Sequence, residues 1–293
     1  MSKDTVSERP ETLERAGVLS KSQLSVLLVF VLLVAVSAWI VQVDLVALIG
    51  DQSREQMWRF IAEGLPPDTS ETYLLGRTLR DGLLWAVVET LAISVVGTVI
   101  GVGLAIPMAL AATAPVTYNG PFFETASRRR VLAGKGLHKT ARFVLSFLRS
   151  VPGLVWGFLF VTAIGLGPFA GALALGIHNA GVLGKLYADF LEDSNPVVTE
   201  SVWTTGCSKL EAIAHGLVPQ KSATIVSYTL YRWECVLRSA TILGFVGAGG
   251  IGYYLVISIQ RLQYQKLVTA IVAVFVLVVL TDATSSRLRS RLT

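Results

Sequence analysis

The sequence predicts an all-α membrane protein with six transmembrane helices. It is 53% hydrophobic and 15% charged, whereas an ordinary soluble domain carries about a quarter charged residues. Several uncharged stretches reach the roughly 20 residues that a helix needs to cross a hydrocarbon core about 30 Å thick. The basic residues gather between alternate apolar stretches, so the net charge of +5 indicates membrane topology rather than a nucleic-acid-binding surface.

The N-terminal part of the chain predicts a tail, a first span and an external segment. Residues 1–23 mix acidic and basic side chains and are expected to form a cytoplasmic tail. Residues 24–43 are predicted to be the first transmembrane helix, because they carry no charge, exceed the length of a signal-peptide core and lack an A-x-A-like cleavage site. Residues 44–81 are charged and contain Pro66-Pro67, which predicts an external segment with short surface helices.

Five further spans are predicted within residues 82–283. The second span covers residues 83–106, since Pro107 follows, and the basic stretch 113–142 is expected to be a cytoplasmic loop. Residues 150–184 carry no charge, but as one straight helix they would reach about 52 Å at 1.5 Å per residue, which exceeds a bilayer. This stretch therefore predicts two spans, 143–164 and 169–190, with a turn at Gly165-Leu166-Gly167-Pro168.

Charge also positions the last two spans. Residues 191–221 are polar and are expected to form a second cytoplasmic loop. Span five begins near Ser222, and span six occupies residues 264–281 before a cytoplasmic tail at 284–293. Most Lys and Arg residues then lie inside, so both termini are expected in the cytoplasm. Treating the uncharged residues 239–260 as a seventh span would place the arginine-rich tail outside, and this alternative is rejected.

The predicted loop 191–221 contains the stretch ESVWTTGCSKLEAIAHGLVPQ. The coupling loop of ABC importer permeases has the pattern E-A-A, three residues, G, nine residues, I-x-L-P. This stretch is similar, because Glu200, Gly206 and Pro219 stand at the spacing of the E, the G and the P of that pattern. The alanine and apolar positions are only partly kept. A helix that starts near Thr199 or Glu200 with an acidic first turn, followed by a bend at Gly206, predicts an element that docks on another protein. An interfacial amphipathic helix capped by Thr199 is the alternative.

The resemblance extends over most of the chain from about residue 76 onward. Four stretches together resemble the permease subunits of phosphonate ABC importers: RSVPGLVWGFLF, GLGPFAGALALGIHNAGVLGKLYAD, TGCSKLEAIAHGLVPQ and SYTLYRWECVLRSATILGFVGAGGIG. The resemblance implies a MetI-like type I fold, a homodimer in the bacterial inner membrane, two copies of a cytoplasmic ATPase that binds ATP and Mg, and an external solute-binding protein. It also implies phosphonate, phosphate or phosphite as substrate and no cofactor in this chain. Val236 departs from the family, which usually has Asn at that position.

Span five carries three charged residues, Arg232, Glu234 and Arg238. Charges in lipid are unfavourable by about 2.5 to 3.5 kcal/mol each on insertion scales, so these side chains are expected to face a protein interior or an aqueous path. Glu234 and Arg238 lie four residues apart and are expected to pair along the helix. Arg238 is predicted to line the passage, because a guanidinium matches the geometry of an oxyanion. Glu89 in span two is expected to neutralise one arginine or to reach water near the interface.

His178 and Asn179 lie in the middle of span four, between Gly176 and Gly181. Polar residues at such a position commonly form hydrogen bonds between helices. Both are also candidate pathway residues, together with Glu89 and the charged residues of span five.

A cluster of glycines follows span five. Gly247, Gly249 and Gly252 satisfy G-x-G-x-x-G, but a dinucleotide site needs a strand-to-helix turn and an acid about 20 residues onward. The next acid, Asp282, follows another predicted span, so a dinucleotide site is rejected. Gly247, Gly249, Gly250 and Gly252 are instead predicted to form a membrane turn that ends span five on the outer side.

No catalytic or metal-binding motif is complete in the sequence. The histidines lack H-E-x-x-H spacing, the P-loop pattern is missing and G-x-S-x-G is absent, so a transport subunit without enzymatic activity is expected. Two alternatives stay open: an ABC permease for methionine or another amino acid, and a proton-coupled secondary transporter that uses Glu89 and Glu234. A membrane oxidoreductase that uses the glycine motif would need the dinucleotide site rejected above.

Overall fold

A computed structural model of the chain describes residues 21–42, 47, 50–78, 80–123 and 127–291. Every regular element in these residues is helical. The chain divides into two compact units, residues 1–59 and residues 60–293. Most of the expected N-terminal tail and the last residue of the expected first span, Val43, lie outside the described residues.

The helices in the described residues are numbered here in chain order. They are α1 (Lys21–Ile40), α2 (Asp51–Gly64), α3 (Glu71–Leu74), α4 (Leu83–Ala111), α5 (Ala114–Thr117), α6 (Arg128–Ser150), α7 (Gly153–Ile164), α8 (Pro168–Glu192), α9 (Pro196–Trp203), α10 (Lys209–Ala212), α11 (Ser222–Leu243), α12 (Gly250–Gln260) and α13 (Tyr264–Arg289). Shorter helical turns lie at Pro121–Phe123, Ile213–Leu217, Pro219–Lys221 and Gly244–Val246.

Six membrane spans are consistent with these helices. Four of them, α1, α4, α8 and α13, are each long and apolar enough to cross a membrane. Two bent pairs would each supply one further span: α6 with α7, at 88°, and the stretch Lys209–Val246, which contains α11, with α12, at 45°. The number of spans therefore agrees with the sequence prediction when each bent pair is counted once.

The third span differs from its prediction as a single helix over residues 143–164. Helix α6 begins at Arg128, inside the stretch 113–142 that was expected to be a loop, and ends at Ser150. The backbone at Val151 is extended, with φ −77° and ψ 122°, and α7 starts after Pro152. Proline disfavours a helical residue before it and lacks an N–H for the helical ladder, so the chain bends here.

Three other boundaries differ from the sequence prediction. Helix α4 continues through Pro107 to Ala111, because a proline is tolerated where neighbouring helices satisfy the backbone of a membrane helix. Helix α13 continues to Arg289, so most of the expected tail 284–293 is helical. The chain after α11 does not turn directly into span six but resumes as α12 up to Gln260.

Small residues allow α4 and α8 to pack closely and so position the polar residues that both helices carry. A Cβ atom on Gly176 would lie 2.6 Å from Cγ2 of Ile100, and one on Gly101 would lie 3.1 Å from Nδ2 of Asn179. Helix backbones approach this closely in membranes where one side lacks a side chain. The α4–α8 pair is therefore a fixed frame for the side chains described below.

Candidate coupling segment and buried polar residues

The segment 193–221, here called the coupling segment, begins with a well-capped helix. Asn195 is the N-cap of α9, since its Oδ1 accepts a hydrogen bond from the N–H of Val197 at 3.0 Å, and Pro196 occupies the first turn. Glu200 is exposed but lies in the second turn, so the expected helix start near Thr199 and the expected acidic first turn are wrong. Thr199 is not the cap and is only 3% exposed.

Gly206 bends the coupling segment between α9 and α10. Its φ of +84° is in the left-handed region that favours glycine, and no heavy atom lies within 4 Å of the position of a Cβ. A capping box follows: the N–H of Ser208 donates to Oε2 of Glu211 at 2.7 Å, and the N–H of Glu211 donates to Oγ of Ser208 at 3.4 Å. Hydrogen bonding of the Glu211 carboxylate by the backbone N–H of Ser208, and next by the Ser208 side chain, lowers the pKa of Glu211.

The two ends of the coupling segment are held together by side chains. Gln220 accepts a hydrogen bond from the N–H of Asn195 at 3.0 Å and donates to the carbonyl of Gly216 at 2.6 Å. Lys221 forms an ion pair with Asp193 at 2.7 Å, and its hydrogen bond and charge lower the pKa of the Asp193 carboxyl. Pro219 opens the short helical turn between these contacts. These contacts therefore hold the beginning and the end of the coupling segment together.

The coupling segment also contacts the turn at Pro121–Phe123. Lys209 donates to the carbonyl of Val116 at 2.6 Å, and its ammonium lies 4.6 Å from the ring centroid of Phe123. Trp203 packs edge-on against Phe122, with 5.0 Å between the ring centroids. These contacts link α9 and α10 to the short helices that follow α4.

Arg142 joins the ends of α4, α6 and α8 beside this segment. Its guanidinium pairs with Asp189 at 2.9 Å and with Glu192 at 2.6 Å, and its Nε donates to the carbonyl of Ala112 at 3.1 Å. Glu192 also accepts a hydrogen bond from the N–H of Ala114 at 2.8 Å. A displacement at this end of the helix bundle would therefore act on α4 and α8 together.

The outward side of the coupling segment carries exposed apolar side chains. Val197 is 61% exposed and Leu210 is 76% exposed. Glu200, Ser201 and Gly206 of the same segment are exposed as well. Apolar side chains grouped on a polar protein surface are typical of an interaction site.

Two charged residues of α11 pair with α13 and not with each other. Arg238 donates two hydrogen bonds from Nη2 to the carboxylate of Asp282, at 2.8 and 3.0 Å, and Glu234 pairs with Arg289 at 2.9 Å. The expected pair of Glu234 with Arg238 is therefore wrong. Asp282 and Arg289 were missed as partners, although an acid inside a membrane helix is itself a signal for a basic partner.

The third charged residue of α11 contacts an amide. Arg232 donates from Nε to Oδ1 of Asn179 at 3.1 Å, and in the part of the chain that the structure describes it forms no ion pair. Asn179 is completely buried. Its neighbour His178 places Nδ1 3.1 Å from the carbonyl of Val151, at the bend between α6 and α7, and so forms a hydrogen bond between helices.

The region 244–252, here called the glycine break, is capped by two side chains of α4. Oε2 of Glu89 accepts a hydrogen bond from the N–H of Gly250 at 2.7 Å, and Oγ1 of Thr90 accepts one from the N–H of Ile251 at 2.9 Å. Among the described residues Glu89 pairs with no arginine, so its expected neutralising role is wrong. Its carboxylate instead lies at the positive N-terminal end of the α12 dipole. No sequence signal indicated Thr90.

The glycines of the break have separate structural reasons. Gly247, Gly249 and Gly250 have φ values of 94°, 81° and 67°, which side chains rarely adopt. A Cβ on Gly252 would overlap the carbonyl oxygen of Thr241 and would lie 2.8 Å from Cα of Gly244. The glycines do form a turn, but it lies between α11 and α12 rather than before span six. Helices on both sides are inconsistent with the strand-to-helix turn of a dinucleotide site.

Comparisons with known proteins agree with this architecture. The family described as "Binding-protein-dependent transport system inner membrane component" matches residues 126–293. The "Phosphite transport system permease protein PtxC" of Stutzerimonas stutzeri is 34% identical over 78% of this chain and 74% of its own length. The "Phosphate-import permease protein PhnE" of Mycolicibacterium smegmatis is 36% identical over 72% of this chain and 37% of its own length.

A solved chain of the inward-facing MetNI methionine ABC transporter superposes with a TM-score of 0.59, covering 72% of this chain and 96% of that one. Because the identity is 21%, this likeness establishes a MetI-like permease fold alone. The helices, their bent spans and the family match lead to the same assignment. The chain belongs to the inner membrane components of binding-protein-dependent transport systems.

Proposed function

We propose that this chain is the permease subunit of an ABC importer that moves phosphonate, phosphite or phosphate into the cell. The observation that carries the proposal is the similarity to permeases named for phosphite transport and phosphate import, at 34% and 36% identity over most of this chain. The methionine transporter supports the fold only, since it is 21% identical. An amino acid substrate is therefore the less supported alternative.

The partners in this proposal are a second copy of the chain, two copies of a cytoplasmic ABC ATPase and an external solute-binding protein. ATP and Mg bind to the ATPase, and this chain contributes no cofactor. The exposed side of the coupling segment, with Glu200 on α9, docks in a groove of the ATPase. Gly206 sets the direction in which α10 leaves α9, and Pro219 begins the return to α11.

Movement of the ATPase pair reaches the membrane helices through the coupling segment. Lys209 and Trp203 contact the residues that follow α4, and Arg142 holds the ends of α4 and α8. Closure of the ATPases would therefore move the α4–α8 frame as one body. This step would convert an inward-open passage to an outward-open passage that faces the loaded binding protein.

The two acids considered for proton coupling both have structural partners. Glu89 accepts the hydrogen bond from Gly250, and Glu234 pairs with Arg289. A proton carrier must release and rebind its proton during each cycle, which would break these contacts. This observation favours ATP-driven transport over a secondary transporter.

The decisive experiment reconstitutes the chain with its native partners in liposomes and measures ATP hydrolysis and solute uptake. Phosphite, phosphate, methylphosphonate and methionine are compared at equal concentration. We expect a phosphorus oxyanion to stimulate hydrolysis and to accumulate in an ATP-dependent manner. Stimulation by methionine alone would overturn the substrate assignment, and uptake driven by a proton gradient without ATP would overturn the transporter class.

A further inference from the structure

Of the three charged residues on α11, two form ion pairs, whereas Arg232 forms none among the described residues. Arg238 has a carboxylate partner in Asp282, and Glu234 has a basic partner in Arg289. Arg232 donates a hydrogen bond to the amide of Asn179 and forms no ion pair among the described residues, and a neutral amide does not cancel its charge. One positive charge is therefore left over on a helix that belongs to the membrane-spanning part of the chain. Intramembrane charges without a counter-charge mark substrate or ion pathways.

Asn179 fixes the orientation of the Arg232 guanidinium. The side chain is completely buried, and its Nδ2 lies against Gly101 of α4, where a Cβ would be 3.1 Å away. Its Oδ1 is thereby directed at Nε of Arg232, at 3.1 Å. In the part of the chain that the structure describes, the two terminal nitrogens of the guanidinium form no hydrogen bond, which leaves a planar pair of donors. Such a pair matches two oxygens of a phosphorus oxyanion.

A groove lies along α11, and Tyr231, the sequence neighbour of Arg232, is part of its wall. It encloses about 340 Å³ and is lined by Ala223, Thr224, Ser227, Tyr228, Tyr231 and Arg289. Thr224, Tyr228 and Arg232 are spaced four residues apart, so they share one face of the helix. The hydroxyl groups of Thr224, Ser227 and Tyr228 in this groove can donate hydrogen bonds to a small anion that leaves Arg232.

We propose that Arg232, positioned by Asn179, is the intramembrane binding residue for the phosphorus oxyanion. This inference rests on the proposed function and moves the role predicted for Arg238 to the arginine whose charge is unbalanced. Arg238 is held by Asp282 and is a structural residue in this assignment. The oxyanion passes from the binding protein to the two terminal nitrogens of Arg232 and then along the groove to the cytoplasm.

Substitution of Asn179 gives the sharpest test, because Asn179→Asp keeps the shape of the side chain but places a carboxylate on Arg232. We expect uptake per ATP hydrolysed to fall about tenfold or more, because the added carboxylate neutralises the charge that binds the oxyanion, an effect comparable with loss of a hydrogen bond to a charged group. Assembly with the partner subunits is measured for each variant as the check on folding. Arg232→Gln should have the same effect, and Arg232→Lys should retain part of the uptake. Arg59→Gln, which removes an exposed arginine paired with Glu55, is the control.

The outcomes separate the two proposals. Unchanged uptake per ATP in both Asn179→Asp and Arg232→Gln would overturn the role of Arg232 while leaving the proposed function intact. A native complex that transports none of phosphite, phosphate and methylphosphonate would overturn both. If the variants fail to assemble, phenylglyoxal modification of the native complex decides: inorganic phosphate should slow modification of Arg232 relative to sulfate, and equal rates would contradict the proposal.

Discussion

The glycine break and the coupling segment share two structural features but differ in how closely their glycines are packed. Both contain a glycine at positive φ, Gly250 at 67° and Gly206 at 84°, beside a capped helix start. In the glycine break the caps come from another helix, through Glu89 and Thr90, and the glycines are packed against neighbours. In the coupling segment the caps are local and the space around Gly206 is empty.

The buried and the exposed glycines contribute to the fold in different ways. A buried glycine is required for its missing side chain, so any substitution displaces neighbouring backbone. An exposed glycine at positive φ is required for its backbone conformation alone. The glycine break should therefore determine the stability of the whole bundle, whereas the coupling segment should respond locally and should affect the partner more than the fold.

The largest effect is expected for Gly252→Ala. The added methyl would overlap the carbonyl oxygen of Thr241 and would meet Gly244, which are backbone atoms that cannot rotate away. We expect a destabilisation of about 3 kcal/mol or more, at the upper end of overpacking effects. Thermal unfolding in detergent measures the loss. Gly103→Ala in α4 is the matched control, because nothing lies within 4 Å of its Cβ position, and it should be neutral or slightly stabilising.

The next effect concerns the cap that α4 provides. Glu89→Ala removes the charge-assisted hydrogen bond to Gly250 and should destabilise the bundle by about 1.5 to 3 kcal/mol. Glu89→Gln keeps an acceptor oxygen and should lose less than Glu89→Ala. The same melting measurement compares the two variants. If Glu89 were a proton carrier instead, Glu89→Gln would abolish transport without lowering stability, and this result would contradict the capping role of Glu89.

A smaller effect is expected for Gly206→Ala in the coupling segment. No atom obstructs the methyl, so only the left-handed backbone conformation opposes it, at about 1 to 2 kcal/mol. Gly206→Asn should be milder, because Asn tolerates this conformation. ATP-dependent uptake should fall in Gly206→Ala while the melting temperature of the membrane helices stays near that of the native chain. A collapse of the whole bundle would show that the segment is not local.

The span count, the fold class and the extent of α8 were predictable because apolar length and the Gly-Leu-Gly-Pro turn are local signals. The 88° bend after α6 was not, since hydropathy alone does not distinguish a straight apolar helix from a bent pair. The ion pairs were missed for a related reason. Arg238 and Asp282 are 44 residues apart, and Glu234 and Arg289 are 55 apart, whereas sequence spacing identifies only neighbours on one helix.

The smallest effect is the response of the coupling segment to acid. The folded-state pKa values of Asp193 and Glu211 are lowered from ordinary values of 3.8 and 4.5. The contribution of the two carboxylates to the stability of the coupling segment is therefore complete above the ordinary pKa values. It is lost as the pH falls through the lowered pKa values of the folded state. Hydrogen exchange of residues 193–221, corrected for intrinsic rates, should be constant between pH 5 and 8 and should rise below about pH 4. Lys221→Met should weaken this dependence, because it removes the partner of Asp193. An acid response that is the same in Lys221→Met and in the native chain would mean that this local ion pair does not stabilise the coupling segment.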